Sequence, residues 1–163
     1  MALAVTAIAF GTRAGMIDPW REEFKLSAEQ VGWITGTAFW GFTLAMVIGG
    51  PFVDIVGMKR VLYIAFAFHL AGIVLTIAAT GFRSLFISTL FIGIANGSVE
   101  AATNPLVTAM YPKEKTKMLN KFHVWWPMGI IIGGLVVLAL QALGFGWRLQ
   151  MGLILIPTAL YGF

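Results

Sequence analysis

The chain has 163 residues, of which 59% are hydrophobic and only 11% are charged, with a formal net charge of +4. A soluble domain of this length needs more charged residues on its surface, so the composition is typical of a helical membrane protein with several spans. The absence of cysteine excludes disulfides, thiolate metal sites and cysteine nucleophiles. HExxH, GxSxG and nucleic-acid-binding motifs are also absent, so the sequence predicts no enzyme, no metal, no cofactor and no nucleic-acid partner.

Six apolar runs follow one another along the chain, each near the roughly 20 residues that cross a bilayer. The sequence therefore predicts an all-α membrane protein with a single six-helix bundle over residues 1–163. We expect the six transmembrane helices at about residues 1–20, 28–53, 60–79, 84–111, 118–143 and 147–163.

The first run contains two charged residues, Arg13 and Asp18, and Asp18 is followed by Pro19. Proline lacks a backbone donor and crowds the preceding turn, so we expect it to disturb this helix. At membrane depth, a disturbed turn is tolerated only where it contacts protein or a polar cavity. Arg13 could pair with Asp18 or with Glu100, or it could attract an anionic solute.

The second and fifth runs carry small residues at intervals of four. Residues at this spacing let the backbones of two helices approach closely. Ser27 and Gln30 have the spacing of a capping box and are expected to start the second helix. The small residues are Gly32 and Gly36, then Gly41, Ala45 and Gly49, and in the fifth run Gly129 and Gly133.

The fourth run, residues 90–112, is apolar enough to cross a bilayer, yet Glu100 lies near its middle. Asn96 and Asn104 stand four residues before and after Glu100, so the three polar groups share one face of a helix. A carboxylate at mid-depth costs about 2.5–3.5 kcal/mol on insertion scales, so a helix does not expose it to lipid. We therefore expect this face to line a polar cavity through which a solute moves. The alternative is a protonated carboxyl that hydrogen-bonds to neighbouring helices.

Basic residues between the runs predict the orientation in the membrane. The side with more lysine and arginine is usually cytoplasmic, which here places both termini of the chain in the cytoplasm. The expected location is the bacterial inner (plasma) membrane. The expected cytoplasmic group is Lys59, Arg60, Lys113, Lys115, Lys117 and Lys121, against Arg21, Lys25, Arg83 and Arg148 on the other side.

The two halves of the sequence resemble one another. The first and fourth runs each combine an acid with a proline, whereas the second and fifth carry the spaced small residues. Because a unit of three helices has an odd number of spans, its two copies enter the membrane from opposite sides. The pattern predicts a 3+3 inverted repeat, an arrangement found in secondary transporters.

The connection between the second and third runs resembles the signature of the major facilitator superfamily. That signature has a glycine, an aspartate four residues later, a second glycine after three more, and then basic residues. The resemblance implies half of the superfamily fold, with a cytoplasmic gate at which the aspartate biases one conformer. The matching residues are Gly50, Asp54, Gly57, Lys59 and Arg60.

A narrower resemblance is to the fucose:proton symporter branch of that superfamily. It rests on Ile17-Asp18-Pro19, on the VEAATNP segment of residues 99–105, and on Leu119-Asn120, and it aligns the whole chain with the N-terminal half of a twelve-helix transporter. It implies that Asp18 and Glu100 face a central cavity and take part in sugar binding and proton coupling. It also implies that His123 occupies a sugar-contacting position on helix five.

We therefore expect a fragment of a longer secondary transporter that takes up a monosaccharide with protons by alternating access. Its partners would be the sugar, protons, the lipid bilayer, and either a C-terminal six-helix half or a second copy. Two alternatives stay open: a carrier of an organic anion or other small polar metabolite that uses Arg13, and a non-transporting membrane receptor or assembly module. The candidate residues for substrate binding or proton coupling are Asp18, Glu100, Arg13, Asn96, Asn104 and His123.

Overall fold

The computed structural model describes residues 2–162, and this part of the chain is helical with short connections and no strand. Met1 and Phe163, the predicted outer limits of the first and last helices, lie outside the described residues. The helical segments of residues 2–162 are α1 (Ala2–Ala14), α2 (Ile17–Phe24), α3 (Ala28–Val56), α4 (Met58–Ile77), α5 (Phe82–Met110), α6 (Lys115–His123), α7 (Trp125–Ala142), α8 (Trp147–Leu153) and α9 (Leu155–Gly162).

Four stretches between residues 2 and 162 are long and apolar enough to cross a membrane. These are α3, α4, α5 and the combined stretch Lys115–Ala142, whereas α1 is a shorter apolar helix. The all-α class predicted from the sequence is therefore confirmed. The segments follow the order of the six predicted runs, but fewer than six of them reach spanning length as continuous helices.

The first, fifth and sixth predicted helices are each interrupted at a proline. The second segment of each run has a proline as its third residue: Pro19 in α2, Pro127 in α7 and Pro157 in α9. In the first turn of a helix, backbone nitrogens have no hydrogen-bond partner within the helix, so a proline there loses no bond at its own nitrogen. The carbonyl four residues earlier, however, is left without its usual N–H donor. The predicted disturbance of the first helix is confirmed, and the break lies at residues 15–16.

The carbonyl that Pro19 leaves unpaired is satisfied from another helix. This carbonyl belongs to Gly15, and Gln141 Nε2, near the end of α7, donates a hydrogen bond to it at 3.1 Å. The interrupted first run is therefore supported by α7 at its break, as an irregular turn within a membrane bundle requires.

Close packing between α3 and α5 confirms part of the predicted glycine pattern. A Cβ atom at Gly41 would lie 2.8 Å from Leu90 O, and one at Gly93 would lie 2.7 Å from Thr37 O, so both glycines are at backbone contact. The hydroxyls of Thr37 and Thr89 also bond across this contact at 2.7 Å.

The rest of the glycine pattern in the second run divides in two. Ala45 and Gly49 pack on α5, where a Cβ at Gly49 would lie 2.8 Å from Ala101 Cβ. The prediction for the earlier pair was wrong, because a Cβ at Gly32 would meet no other atom within 4 Å and a Cβ at Gly36 would lie nearest to Trp40 of the same helix. Thr37, the next residue, contacts α5, so the pair lies on a different side of α3 from this crossing.

The glycine pair of the fifth run makes an equivalent crossing between α7 and α1. A Cβ at Gly129 would lie 2.5 Å from Ala7 Cβ, and one at Gly133 would lie 2.6 Å from Ile8 O. In both crossings, a glycine-bearing helix lies against a run that carries an acid and a proline. The aromatic cavity described below is lined by residues of α1, α3, α5 and α7.

Two predicted loops are shorter than expected. The connection at residues 54–60 is almost wholly helical, since α3 ends at Val56 and α4 begins at Met58. Gly57 alone separates them, with a φ of 86° that side chains disfavour, so glycine is required there. The lysine-rich segment of residues 112–120 also contains the start of α6 at Lys115.

One end of the bundle is joined by a polar cluster around Glu23 of α2. This carboxylate pairs with Arg148 of α8 at 2.7 Å and accepts a hydrogen bond from the Trp147 indole. Arg148 Nε also donates to Ile77 O at the end of α4, at 3.2 Å. The cluster therefore connects three segments that are distant in sequence.

Candidate functional site

Glu100 and His123 are brought together by the packing of α5 against α6. Glu100 is only 9% exposed, and its Oε2 lies 3.6 Å from Nε2 of His123, the last residue of α6. His123 is at this position because the helix is interrupted at Val124, just before Pro127. Two residues that the sequence singled out separately thus form one pair.

The other ring nitrogen of His123 fixes how this pair can be protonated. Nδ1 lies 2.9 Å from Leu119 O, and because a carbonyl only accepts, Nδ1 carries a hydrogen. Nε2 then faces Glu100 with a lone pair if the imidazole is neutral. With both ring nitrogens protonated, the imidazole would attract the carboxylate as an ion pair at 3.6 Å, whereas a neutral imidazole turns an acceptor toward it.

Asn96 lies one turn before Glu100 and is bonded to a residue that the sequence pattern did not connect with it. It is 3% exposed, and its Oδ1 lies 2.7 Å from Nε2 of His69 on α4. The second ring nitrogen of His69 lies 2.6 Å from the hydroxyl of Tyr161 on α9. A histidine within an apolar helix needs polar partners, and this general need is the only sign of such a link in the sequence.

Asn96 also lines a cavity with mainly aromatic walls between the two helix crossings. The cavity has a volume of about 190 Å³. Aromatic faces with a few polar groups are typical of sites for small organic solutes. The lining residues are Phe10, Ala38, Phe39, Phe42, Asn96 and Trp126.

Arg13 is buried beside this cavity without a carboxylate partner. Its side chain is 7% exposed, its Nη2 donates to Thr35 O at 3.3 Å, and its guanidinium lies 5.7 Å from the centre of the Phe10 ring. The interpretation that Arg13 pairs with Asp18 or Glu100 is wrong, because no ion pair within residues 2–162 includes it. Its Nη1 is buried with no hydrogen-bond partner in this part of the chain.

The remaining polar candidates lie apart from one another. Asp18 is exposed in the first turn of α2, where the unpaired N–H groups of a helix start favour a carboxylate. It forms no ion pair among the residues that the structure describes. Asn104, one turn after Glu100, has a buried Oδ1 without a hydrogen-bond partner in the same set of residues. The structure therefore brings Glu100 and His123 together but leaves Asp18 outside their contact.

The predicted gate residues surround the junction of α3 and α4. Gly50 and Gly57 have open space beside them, and the charged side chains of Asp54, Lys59 and Arg60 are exposed. Lys59 lies 5.8 Å from the centre of the Tyr63 ring. None of the three charges forms an ion pair within the described part of the chain. Asp54 lies in the last turn of α3, where the helix dipole disfavours a carboxylate and a cation would stabilise it.

Comparison with known proteins finds relatives that are described as transporters and that match most of this chain. A family model described as Major Facilitator Superfamily matches residues 1–163. A D-xylose transporter of Levilactobacillus brevis is 24% identical over 162 residues, which cover 96% of this chain and 35% of that protein. A hexuronate transporter of Bacillus subtilis (strain 168) is 27% identical over 137 residues, with 83% and 32% covered.

A third relative links sugar and proton in its description. The galactose-proton symporter of Escherichia coli (strain K12) is 27% identical over 152 residues, which cover 92% of this chain and 32% of that protein. The chain spans about a third of the length of these curated relatives.

Proposed function

The chain belongs to the major facilitator superfamily, and from this we propose that it is the N-terminal half of a proton-coupled monosaccharide carrier. Members of this family are transporters of small solutes rather than enzymes, and the chain is an integral membrane protein. We further propose that the chain has six spans, works with a partner half, and couples the uptake of a monosaccharide to protons. We expect it in the bacterial inner membrane with both of its termini in the cytoplasm.

The proposed architecture is six spans arranged as a 3+3 inverted repeat over residues 1–163. In such a repeat, helices one and two correspond to helices four and five. The crossing of α1 with α7 would then correspond to the crossing of α5 with α3. Glycines at backbone contact in both crossings support this equivalence, at Gly133 in one and at Gly41 in the other.

We propose that the working carrier contains a second six-helix unit. The chain covers 35% of the D-xylose transporter and 32% of the galactose-proton symporter, so each relative has further sequence beyond the matched part. The second unit would be a C-terminal half or another copy of this chain. It would offer a cation to Asp54, whose charge has no ion-pair partner within residues 2–162.

Proton coupling is the part of the proposal that rests on one contact, the pair of Glu100 and His123. We propose that the pair shares one proton, since Nε2 lies 3.6 Å from the carboxylate and Nδ1 of the imidazole is bonded to Leu119 O. Losing that proton leaves two acceptors facing each other and so favours their separation. A carrier that binds and releases its coupling proton here would change its preferred conformation with each cycle.

The aromatic cavity supports a sugar as the solute. Its volume of about 190 Å³ suits a single small solute, and its walls are Phe39, Phe42, Trp126 and other aromatic or small residues. The apolar face of a pyranose packs on aromatic rings, while an amide such as that of Asn96 bonds to hydroxyls. Asp18 and Asn104 remain proposed contributors to the same pathway.

Uptake into proteoliposomes tests the function and the coupling separately. An imposed pH gradient should drive the wild-type carrier, with both six-helix units present, to accumulate D-xylose or D-galactose. Glu100→Gln should abolish accumulation but keep the exchange of labelled for unlabelled sugar, because exchange needs binding and not net proton movement. Glu114→Gln is the matched control, since Glu114 is exposed and pairs only with Lys117 within the described residues.

Each outcome addresses a different part of the proposal. A wild-type carrier with both six-helix units that neither accumulates nor exchanges these sugars contradicts the sugar assignment. Accumulation by Glu100→Gln at the wild-type level contradicts the coupling assignment while leaving transport itself standing.

The buried guanidinium of Arg13 favours one second candidate, a carrier of sugar acids or other organic anions. A buried cation with an unbonded Nη1 is costly unless an anion approaches it. Its ring contact with Phe10 places it behind a wall of the cavity. A relative described as a hexuronate transporter is consistent with this version.

A further inference from the structure

We propose that His69 and Tyr161 are positioning residues that hold the Asn96 amide so that its NH2 group faces the aromatic cavity, which makes this wall select for ligand oxygens that accept hydrogen bonds. The inference rests on the proposed function, because it takes the cavity to be the solute site. It assigns a role to two residues that lie outside the Glu100–His123 pair.

The three side chains form a continuous chain of hydrogen bonds across the bundle. His69 is 0% exposed on α4, between Tyr161 of α9 and Asn96 of α5. Its Nδ1 lies 2.6 Å from the tyrosine hydroxyl, and its Nε2 lies 2.7 Å from Asn96 Oδ1. A buried ring with both nitrogens bonded has one orientation and little freedom to leave it.

The chemistry of each atom fixes the direction of these bonds. Asn96 Oδ1 is a carbonyl oxygen and only accepts, so His69 Nε2 carries the hydrogen. Nδ1 of the neutral ring is then an acceptor, and the Tyr161 hydroxyl donates to it. One neutral tautomer of His69 therefore satisfies all three groups. The series of hydrogen bonds then starts at the tyrosine hydroxyl and ends at the amide.

The Asn96 amide, at the end of this series of hydrogen bonds, faces the cavity. Because Oδ1 is occupied by His69, Asn96 has its two N–H donors left for other partners, and Nδ2 makes no hydrogen bond within residues 2–162. With His69 protonated at Nε2, turning the amide over would bring NH2 against this N–H, and an unmade buried hydrogen bond costs about 1–3 kcal/mol. The opposite amide orientation would need the other tautomer, with Nδ1–H donating to the Tyr161 hydroxyl, so the tautomer of His69 reports the orientation of the amide. The amide is thus preorganised as a donor.

This orientation defines the preferred ligand chemistry. A sugar hydroxyl or a carboxylate can accept from the two N–H groups, whereas a group that only donates cannot. Fixing the donor before the ligand arrives also avoids the cost of ordering the side chain on binding. His69 and Tyr161 act on the solute through Asn96 and do not line the cavity themselves.

Binding of D-galactose to the purified carrier, with both six-helix units present and measured by isothermal titration calorimetry, tests this series of hydrogen bonds. Tyr161→Phe keeps the ring but removes the donor to His69, and it should weaken binding by about threefold to tenfold, as expected for one hydrogen bond. The control is Tyr63→Phe, because Tyr63 is exposed on α4 and should leave binding unchanged. The melting temperature of each variant is measured alongside.

A double variant separates positioning from simple structural support. If Tyr161 acts through the amide, Tyr161→Phe should have no further effect on binding once Asn96→Ala is present. Equal losses in the wild-type and Asn96→Ala backgrounds would overturn the proposal. Should Asn96→Ala fail to fold, Asn96→Ser serves as the background, since it also removes the NH2 group.

The nitrogen signals of His69 provide a readout that needs no ligand. Labelled protein should show a neutral ring protonated at Nε2, and protonation at Nδ1 would overturn the orientation argued above. A wild-type protein that binds none of D-xylose, D-galactose and D-galacturonate contradicts the proposed function instead, and the His69 tautomer then decides the orientation of the amide by itself.

Discussion

The Nε2 atom of His123 lies 3.6 Å from Oε2 of Glu100, although the two residues belong to different helical segments. Nδ1 of the same imidazole is bonded to Leu119 O, so the ring cannot turn Nδ1 toward the carboxylate without losing that bond. If the proposed coupling is right, the contact is one site for one proton, and the two side chains should act as a unit.

A double-mutant cycle tests whether these two residues share a proton. Glu100→Gln and His123→Gln should each weaken D-galactose binding, and the double variant should bind no more weakly than either, because groups that act together are not additive. The measurement is the apparent Kd of D-galactose at one fixed pH, since a rate of accumulation that each single variant abolishes cannot fall further. The comparison pair is Glu100→Gln with Asp18→Asn, whose effects on sugar affinity should multiply because Asp18 has no contact with Glu100. Independent effects in the first pair would contradict the shared site.

Removing the charge of Arg13 should separate anionic from neutral solutes. Arg13→Leu should weaken D-galacturonate binding at least about tenfold, the loss expected for a hydrogen bond to a charged group, and change D-galactose binding little. The melting temperature should stay the same or rise, because a buried cation without a counter-ion is removed. Arg13→Lys keeps the charge and is the matched control. Equal weakening of both ligands by Arg13→Leu would exclude a carboxylate-binding role.

Two glycines of α3 should respond to alanine in opposite directions. A Cβ at Gly41 would lie 2.8 Å from Leu90 O, so Gly41→Ala should destabilise the fold by about 1–3 kcal/mol through overpacking. A Cβ at Gly32 would meet no other side chain or helix within 4 Å, so Gly32→Ala should be neutral or stabilising by up to about 1 kcal/mol because alanine favours a helix. Reversible unfolding in detergent measures both. A destabilised Gly32→Ala would show that helix α3 has a partner at its start.

The contact of Glu23 with Arg148 should make stability depend on pH outside the membrane. Hydrogen bonds from Arg148 and then Trp147 lower the pKa of Glu23 below its ordinary value. A lowered pKa adds stability above the unfolded carboxyl pKa, about 4.3, and that stability is lost as the pH falls through the folded value. Wild-type protein should therefore melt higher than Glu23→Gln at pH 7, with the difference shrinking below about pH 4.

The control for this pH effect is the neighbouring residue Glu22. It is exposed and has no ion pair within residues 2–162, so Glu22→Gln should change the melting temperature little at either pH. A difference between wild type and Glu23→Gln that persists unchanged at pH 3 would contradict the electrostatic explanation.

Local sequence patterns predicted the parts of the fold that depend on residues close in the chain. The capping box of Ser27 and Gln30 is present, with both hydrogen bonds formed. The glycines at Gly41 and Gly133 indicated close contact because their spacing presents one bare face of a helix. The break before Pro19 followed from the missing N–H of proline alone.

Contacts between distant residues were beyond such patterns. His69 and Tyr161 are 92 positions apart, and nothing in their spacing indicates that they bond. Arg13 was expected near a carboxylate because opposite charges attract, but helix rotation places it against Phe10 and a backbone carbonyl instead. The rotation and depth of each helix decide which polar groups meet. The spacing of residues along one sequence determines neither of them.

The prolines at the third positions of α2, α7 and α9 have a mechanical consequence. Each interrupted run lacks one backbone hydrogen bond of the helix at its proline, so bending there breaks no further bond of that helix. At the first of these breaks, bending would instead stretch the bond from Gln141 to Gly15 O. The outer pieces could then tilt while the crossings, where glycines bring two backbones into contact, keep their register.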